Sequence, residues 1–510
     1  MNIGSLHPYR LIGALLLAAG TLQLAAVTDA AAQVRGTSLI MSHPQEPPNW
    51  NYWATGATAL TVPTFHNVLE PLVEKLGDGS VAPLLAESWK VSNDGLVYEF
   101  KIRQAKFHDG TALNAADVVY SLLKNKASPQ APMRTPLATM VSVEAVDART
   151  VKLKLSAPSQ RLLSELGQAA GVIVAKDSHE KLNLNAQMIG TGPYVFGEYK
   201  PDRHLILTRF DGYWGTKPYF QQVTHRFIPD ETAAINALLS GQIDIVGTVL
   251  GEGIDRVASV GKNPRFRVVS PLPTEVNYIF LSTRNEALRD PRVRQAIAHA
   301  VEREEVLVGG VSGFARVTCQ LVIPSTEKWN NGYCPYKHDP ARARQLLAAA
   351  GRANLTLDFP FLTVAEFPLI KDVLVAQLAK VGITLKPRAL DLATWLERVN
   401  TNGEYEFSNL TSGVKAEAFV CKGGRQPLGR DNSAVCDTAF DQLVARSDTI
   451  LARDEYERSM AEMMKLLADS AWVIPMLQKN PPSLVRADLE GVKAYRTRLE
   501  FDLRKLRWTN

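Results

Sequence analysis

Cysteine is scarce in this 510-residue chain, which has only Cys319, Cys334, Cys421 and Cys436. That excludes a small scaffold held together mainly by disulfides. The nine histidines are scattered along the sequence, so a metal site would have to be assembled from distant segments. Charge of one sign is equally weak: 57 basic against 52 acidic residues leave +5, and no basic run concentrates it. This argues against a nucleic-acid surface. Beyond the first thirty or so residues no apolar run is long enough to cross a bilayer. Enzyme signatures are missing too, with no Gly-x-Ser-x-Gly elbow, no phosphate-cradling Gly-x-x-x-x-Gly-Lys loop and no His-Glu-x-x-His helix.

What is present begins at the N-terminus. Arg10 precedes the apolar Leu11–Ala19 stretch, and small residues at Ala30 and Ala32 fit cleavage before Gln33. Residues 1–32 therefore read as a secretory signal peptide, with Thr21, Gln23 and Asp29 interrupting what would otherwise be an anchor helix. No cysteine lies near the cleavage point, so a lipid anchor there is not expected. The four cysteines fall into two local pairs of equal spacing, which in an oxidising compartment suggests the disulfides Cys319–Cys334 and Cys421–Cys436, one of the three pairings that four cysteines allow. Zinc is the rival reading, but neither pair has the close spacing of a zinc knuckle.

At 46% hydrophobic residues the chain can bury a large core, and its length suits several domains. Helix signals alternate with short strands. Asn114 and Asp117 form a capping pattern ahead of Val118, Val119, Leu122 and Leu123. Asp290-Pro291 and Asp339-Pro340 each place a cap before a proline at the first helical position. Another helix follows Asp230 and stops at Gly241, before the strand-like Gln242–Val246. Residues 191–196 and 204–210 read as strands joined by a turn around Lys200–Asp202. These mixed signals indicate an α/β architecture.

One segment poses a chemical question, because Lys106-Phe-His-Asp-Gly-Thr111 sets His108 beside Asp109. A catalytic dyad needs a substrate within reach and a third group to orient the base, whereas neighbours in a strand or turn point in different directions. The alternative is a tight turn at Asp109-Gly110 with His108 held at the corner.

The order of several blocks resembles the extracytoplasmic solute-binding proteins of ABC importers, in the peptide/nickel/opine-binding family. These blocks are Asn67–Leu72, Leu84–Trp89, Phe107–Thr111, Ala116–Val119, Gly190–Tyr194, Gly212–Trp214, Ala237–Asp244, Asp290–Ile297 and Asp339–Leu347. The resemblance runs through nearly all the chain after the signal peptide. It implies a non-enzymatic, two-lobed α/β protein with a hinged cleft and an extra domain inserted in the first lobe. Lobe I would comprise 33–66, 191–276 and 481–510, the insertion 67–190, and lobe II 277–480. Ligand would favour the closed form. A membrane permease and ATPase would be the partners, with the receptor a periplasmic monomer needing no cofactor or metal.

By the same resemblance, ligand contacts fall on the loop after the first strand, at Trp53, Thr55 and Gly56, and in lobe II at Thr363, Trp395, Asn409, Thr411, Ser412 and Gly413. For Trp53 and Trp395 the competing reading is core packing. Peptide binders of the family carry an aspartate that pairs with the peptide ammonium, but Phe407–Phe419 has none. Its only acid is Glu417, and Lys415 brings the opposite charge. The neutral groups of Asn409, Thr411 and Ser412 suit hydroxyls, amides or carboxylates better than a bare ammonium. The leading expectation is thus an import receptor for a modified peptide, an opine-like conjugate or a saccharide derivative. An ordinary di- or oligopeptide receptor is the alternative, and a ligand-presenting sensor or chaperone is the reading from another class.

Overall fold

Leu39, Met41, Leu205, Leu207 and Val223 are buried residues that alternate with more exposed ones along three neighbouring strands, forming one apolar face of a sheet. In the computed structural model this sheet has seven strands. In spatial order they are Phe266–Val269, Ser483–Arg486, Ile245–Val246, Ser38–His43, Gln222–Phe227, His204–Arg209 and Tyr194–Lys200. Ser38–His43 runs parallel to two of its neighbours, and the other pairings are antiparallel. The structure describes residues 36–53, 58–76, 80–251, 253–270, 273, 275–282, 284–321, 332–412, 438–447, 449–492 and 501–509.

A second sheet, of four antiparallel strands, is ordered Ala315–Val317, Val473–Lys479, Val276–Leu281 and Phe407–Ser412. Val276–Leu281 is buried at every position, because helices and loops cover both of its faces. The parallel pair Leu355–Leu362 and Ile383–Leu390 lies beside this sheet, with Phe359 edge-on to Phe407 at 4.9 Å. The chain crosses between the seven- and four-stranded sheets twice, from Val269 to Val276 and from Lys479 to Ser483. At the crossings Lys479 donates its backbone N–H to the Glu275 carbonyl at 3.0 Å, and Val249 donates to Pro482 at 2.9 Å.

A third sheet (Ala86–Val91, Val97–Ile102, Thr150–Leu155, Met140–Asp147) lies in sequence between the first two long strands of the seven-stranded sheet and has its own core around Phe100, Phe107 and Leu122. Its helix Ala115–Lys126 starts with the capping box read from the sequence: the Asn114 side chain accepts from the Ala116 and Asp117 amides, and the Asp117 side chain accepts from the Asn114 amide. Such a cap contributes about 1 kcal/mol. The expected helices Pro291–Ala300, Pro340–Ala349 and Glu231–Leu239 also form, each with its aspartate accepting from the first turn.

The His108 ring is a brace between loops. Its Nδ1 accepts from the Gly190 amide (3.3 Å), so the proton sits on Nε2, which donates to the Gly192 carbonyl (2.9 Å). Both glycines are required by close approach, since a Cβ would lie 2.0 Å from the Val68 carbonyl oxygen at position 190 and 2.5 Å from that of Asn67 at 192. Asp109 turns away and accepts from Thr111 at the tight turn. The pair is architectural, with its two side chains engaged in separate local bonds.

Candidate functional site

Strand Leu355–Leu362 ends at an exposed Thr363, and the chain then turns through Ala365, a non-glycine residue in the left-handed region (φ 53°). This brings Glu366 to the start of helix Phe367–Ala379, where its carboxylate makes no bond to the helix it precedes. The carboxylate turns instead to Lys479, at the end of strand Val473–Lys479, with Nζ 2.8 Å from Oε1 and side-chain exposures of 2% and 6%. Lys and Glu are rarely this buried unless paired. The Thr411 hydroxyl donates to the same Oε1 at 2.8 Å, and Asn277 Nδ2 donates to Thr411 at 2.8 Å. One carboxylate thus joins three elements beside the crossings of the chain.

On the adjoining strand, Thr411 and Ser412 are half-buried, and the Ser412 hydroxyl lies 3.1 Å from the Tyr278 hydroxyl. Asn409 sits one layer deeper, fully buried opposite Ile279, and its amide has no hydrogen-bond partner among the described residues. Thr363 Oγ1 lies 3.4 Å from the Leu390 carbonyl. Thr363, Thr411 and Ser412 therefore share the carboxyl-end edge of their strands, where α/β sheets place ligands. Trp395 lies in the core cluster behind this sheet, buried and edge-on to Phe280 at 6.3 Å.

Trp53 is also buried. It donates from Nε1 to Asn125 at 2.8 Å and stands edge-on to His179 at 4.4 Å, linking the loop after the first strand to helix Ala115–Lys126. Thr55, Gly56 and Gly413 lie outside the described residues, as do Lys415, Glu417, Cys421 and Cys436. The expected bond between Cys319 and Cys334 is formed.

Across from this edge, Glu231 organises the segment after Val246. Its carboxylate accepts from the amides of Leu250 (2.6 Å), Gly251 (3.1 Å) and Gly253 (3.0 Å). Gly251 thereby faces Ala365, and a Cβ there would lie 3.8 Å from the Ala365 Cα. Nearby, Ser312 donates to Asp255 at 2.6 Å. Glu366, Lys479, Asn277 and Glu231 were not among the residues expected from the sequence. The available signals were a lysine closing a strand that opens with five apolar residues, Val473–Leu477, and an acid immediately before an apolar helix.

Among the described residues, no group of three or more His, Cys, Asp or Glu is placed to hold a metal ion. Nor is any helix among them long and apolar enough to cross a membrane.

Residues 80–414 match the family model for the bacterial extracellular solute-binding proteins, family 5. A putative ABC transporter peptide-binding protein of Brucella ovis is 32% identical over 366 residues, covering 69% of this chain and 67% of the relative. The dipeptide-binding protein of Escherichia coli is 27% identical, covering 83% of this chain and 85% of that protein. Among solved structures, AgaA from A. tumefaciens R10 in complex with agropinic acid superposes with a TM-score of 0.76 at 25% identity, covering 93% of this chain and 99% of that one. Members of this family are two-lobed, non-enzymatic receptors that bind small ligands outside the cytoplasm and work with the permease and ATPase subunits of ABC importers. With its α/β lobes and twice-crossed junction, this chain belongs to family 5 of the bacterial extracellular solute-binding proteins.

Proposed function

We propose that the protein is a periplasmic receptor that delivers a small polar solute to an ABC importer, and that the solute is a modified peptide, an opine-like conjugate or a saccharide derivative. One observation carries this reading. The accessible edge formed by Thr363, Thr411 and Ser412 offers neutral hydroxyls, and the carboxylate behind it, Glu366, is already neutralised by Lys479. A bare ammonium placed here would meet no free counter-charge. The likeness to a protein solved with agropinic acid supports the same class.

Relatives named as peptide-binding support the second reading, an ordinary di- or oligopeptide receptor. The proposed ligand set is Trp53, Thr55, Gly56, Thr363, Trp395, Asn409, Thr411, Ser412 and Gly413, with Trp53, Trp395 and Asn409 acting from beneath the surface. We assign lobe I to 33–66, 191–276 and 481–510, the inserted domain to 67–190 and lobe II to 277–480. Residues 1–32 serve as a cleaved signal peptide, and the mature protein acts as a monomer.

The test is thermal unfolding of protein stripped of cargo, against di- and tripeptides, opines and oligosaccharides. A ligand at a hundred times its Kd adds about 2.7 kcal/mol to the folded state. A shift confined to opines, blocked peptides or sugars supports the first reading, and a shift with free dipeptides supports the second.

A further inference from the structure

We propose that Thr411 reads the hydrogen-bond polarity of the ligand: its hydroxyl can only accept, so the ligand group seated against it carries an N–H or O–H and is not a carboxylate. This rests on the reading that the edge of strand Phe407–Ser412 lines the ligand site.

Hydrogens and lone pairs at this hydroxyl can be counted. A threonine hydroxyl has one hydrogen to give and two lone pairs. The hydrogen is committed to Glu366 Oε1 at 2.8 Å, because a carboxylate held against Lys479 can only accept. One lone pair is filled by Asn277 Nδ2, also at 2.8 Å. This orientation of the Asn277 amide is forced: were its oxygen turned to Thr411, two acceptors would compete for one hydrogen. A single lone pair remains on a half-buried residue at the edge.

The surroundings point the same way. Among the described residues Glu366 Oε2 and Asn277 Oδ1 are buried without hydrogen-bond partners, so acceptors are in surplus around Thr411. A ligand carboxylate would set lone pair against lone pair in front of a fixed carboxylate. An amide or a sugar hydroxyl supplies the missing hydrogen. Their shared chemistry is donation, and the probes below separate them.

The experiment measures affinity by calorimetric titration for pairs differing at one group: Gly-Gln against Gly-Glu, the N-acetyl form of each, and gluconamide against gluconate. In the wild type the amide member of a recognised pair binds about tenfold tighter than the acid, the worth of one hydrogen bond. Thr411→Val reduces this ratio to near one, whereas Thr411→Ser retains it. Glu366→Gln also narrows the ratio, because its side-chain amide can donate to Thr411 and free the hydroxyl hydrogen to point outward. An acid member that binds tightest to the wild type, or a ratio unchanged in Thr411→Val, overturns the proposal.

A ligand-free readout covers the case in which no probe binds. In infrared spectra of protein with isotope-labelled glutamate, Thr411→Val shifts a carboxylate band if the hydroxyl donates to Glu366, and an unshifted spectrum overturns the proposal. Failure of the receptor reading looks different: the band shifts, yet no probe binds and no cargo is carried.

Discussion

Glu366 and Lys479 are 113 positions apart in the chain, yet they form a 2.8 Å ion pair with both side chains almost wholly shielded from water. Lys479 is also tied through its backbone to Glu275, on the other segment that crosses between the sheets. The pair therefore stands where the chain crosses between the four- and seven-stranded sheets, and occupancy at Thr411 is one bond away from it.

Breaking this pair from one side leaves an uncompensated buried charge. Glu366→Ala or Lys479→Ala should cost about 3–5 kcal/mol, whereas the double substitution Glu366→Leu with Lys479→Met should cost far less than the sum. Urea unfolding of the two single variants and the double variant checks this. Single variants within about 0.5 kcal/mol of wild type, the range of ordinary surface substitutions, would show that the charges reach water.

Glu70 should make stability fall with rising pH over a defined window. Its buried carboxyl accepts from Thr191, Tyr213 and Trp214, but burial outweighs these bonds and raises its pKa to about 7 from 4.5. Below 4.5 both the folded and unfolded chains hold the proton, so the group contributes no pH dependence. Between 4.5 and about 7 the unfolded chain ionises freely and the folded one resists, so this contribution to stability is lost as pH rises. Glu70→Gln should flatten the component in denaturant titrations taken across that window. An unchanged slope would locate the ionisation elsewhere.

The histidines act in the opposite direction. Burial lowers His43, His108 and His179 to about 4, and pushes His225 well below the ordinary value. The rings of His43 and His225 lie 5.4 Å apart, so proton uptake there would also bring like charges together. Above 6.5 these groups are neutral in both states. As pH falls from 6.5 towards 4 the unfolded chain takes up protons that the folded chain refuses, and stability is lost. Four such groups outweigh Glu70, so the melting temperature should drop on acidification below about 6.5. A melting temperature that is constant or rising between pH 6.5 and 5 would contradict this.

The Cys319–Cys334 bridge closes a loop with a sequence separation of 15. Its reduction should cost about 3 kcal/mol through the freedom returned to the unfolded chain. Chemical denaturation with and without reductant measures this. No change in midpoint would show that the bridge leaves the unfolded ensemble unconstrained.

Much of the scaffold was legible because its signals are local. Asn114 with Asp117, Asp290 with Pro291 and Asp339 with Pro340 each declare a helix start within a few residues, and the structure forms those helices. His108 could be weighed as a brace rather than a base, but the loop it braces lies about eighty residues away, and its partners came only with the fold. The edge residues Thr411 and Ser412 came from the order of sequence blocks. The carboxylate behind them did not, because nothing within the segment Thr363–Phe367 announces that Glu366 will meet Lys479. A buried ion pair between distant segments is a property of tertiary packing, and it leaves only a faint local trace: a charge where an apolar residue would fit.

Whether this chain captures a small polar solute is decided by what it carries. Protein purified from its exported state should be denatured, the released small molecules identified by mass spectrometry, and the stripped, refolded protein titrated with them by calorimetry. A saturable one-to-one interaction with a polar solute bearing amide or hydroxyl donors is expected. Binding of a solute whose only polar groups are carboxylates, or the absence of both cargo and heat, would contradict it.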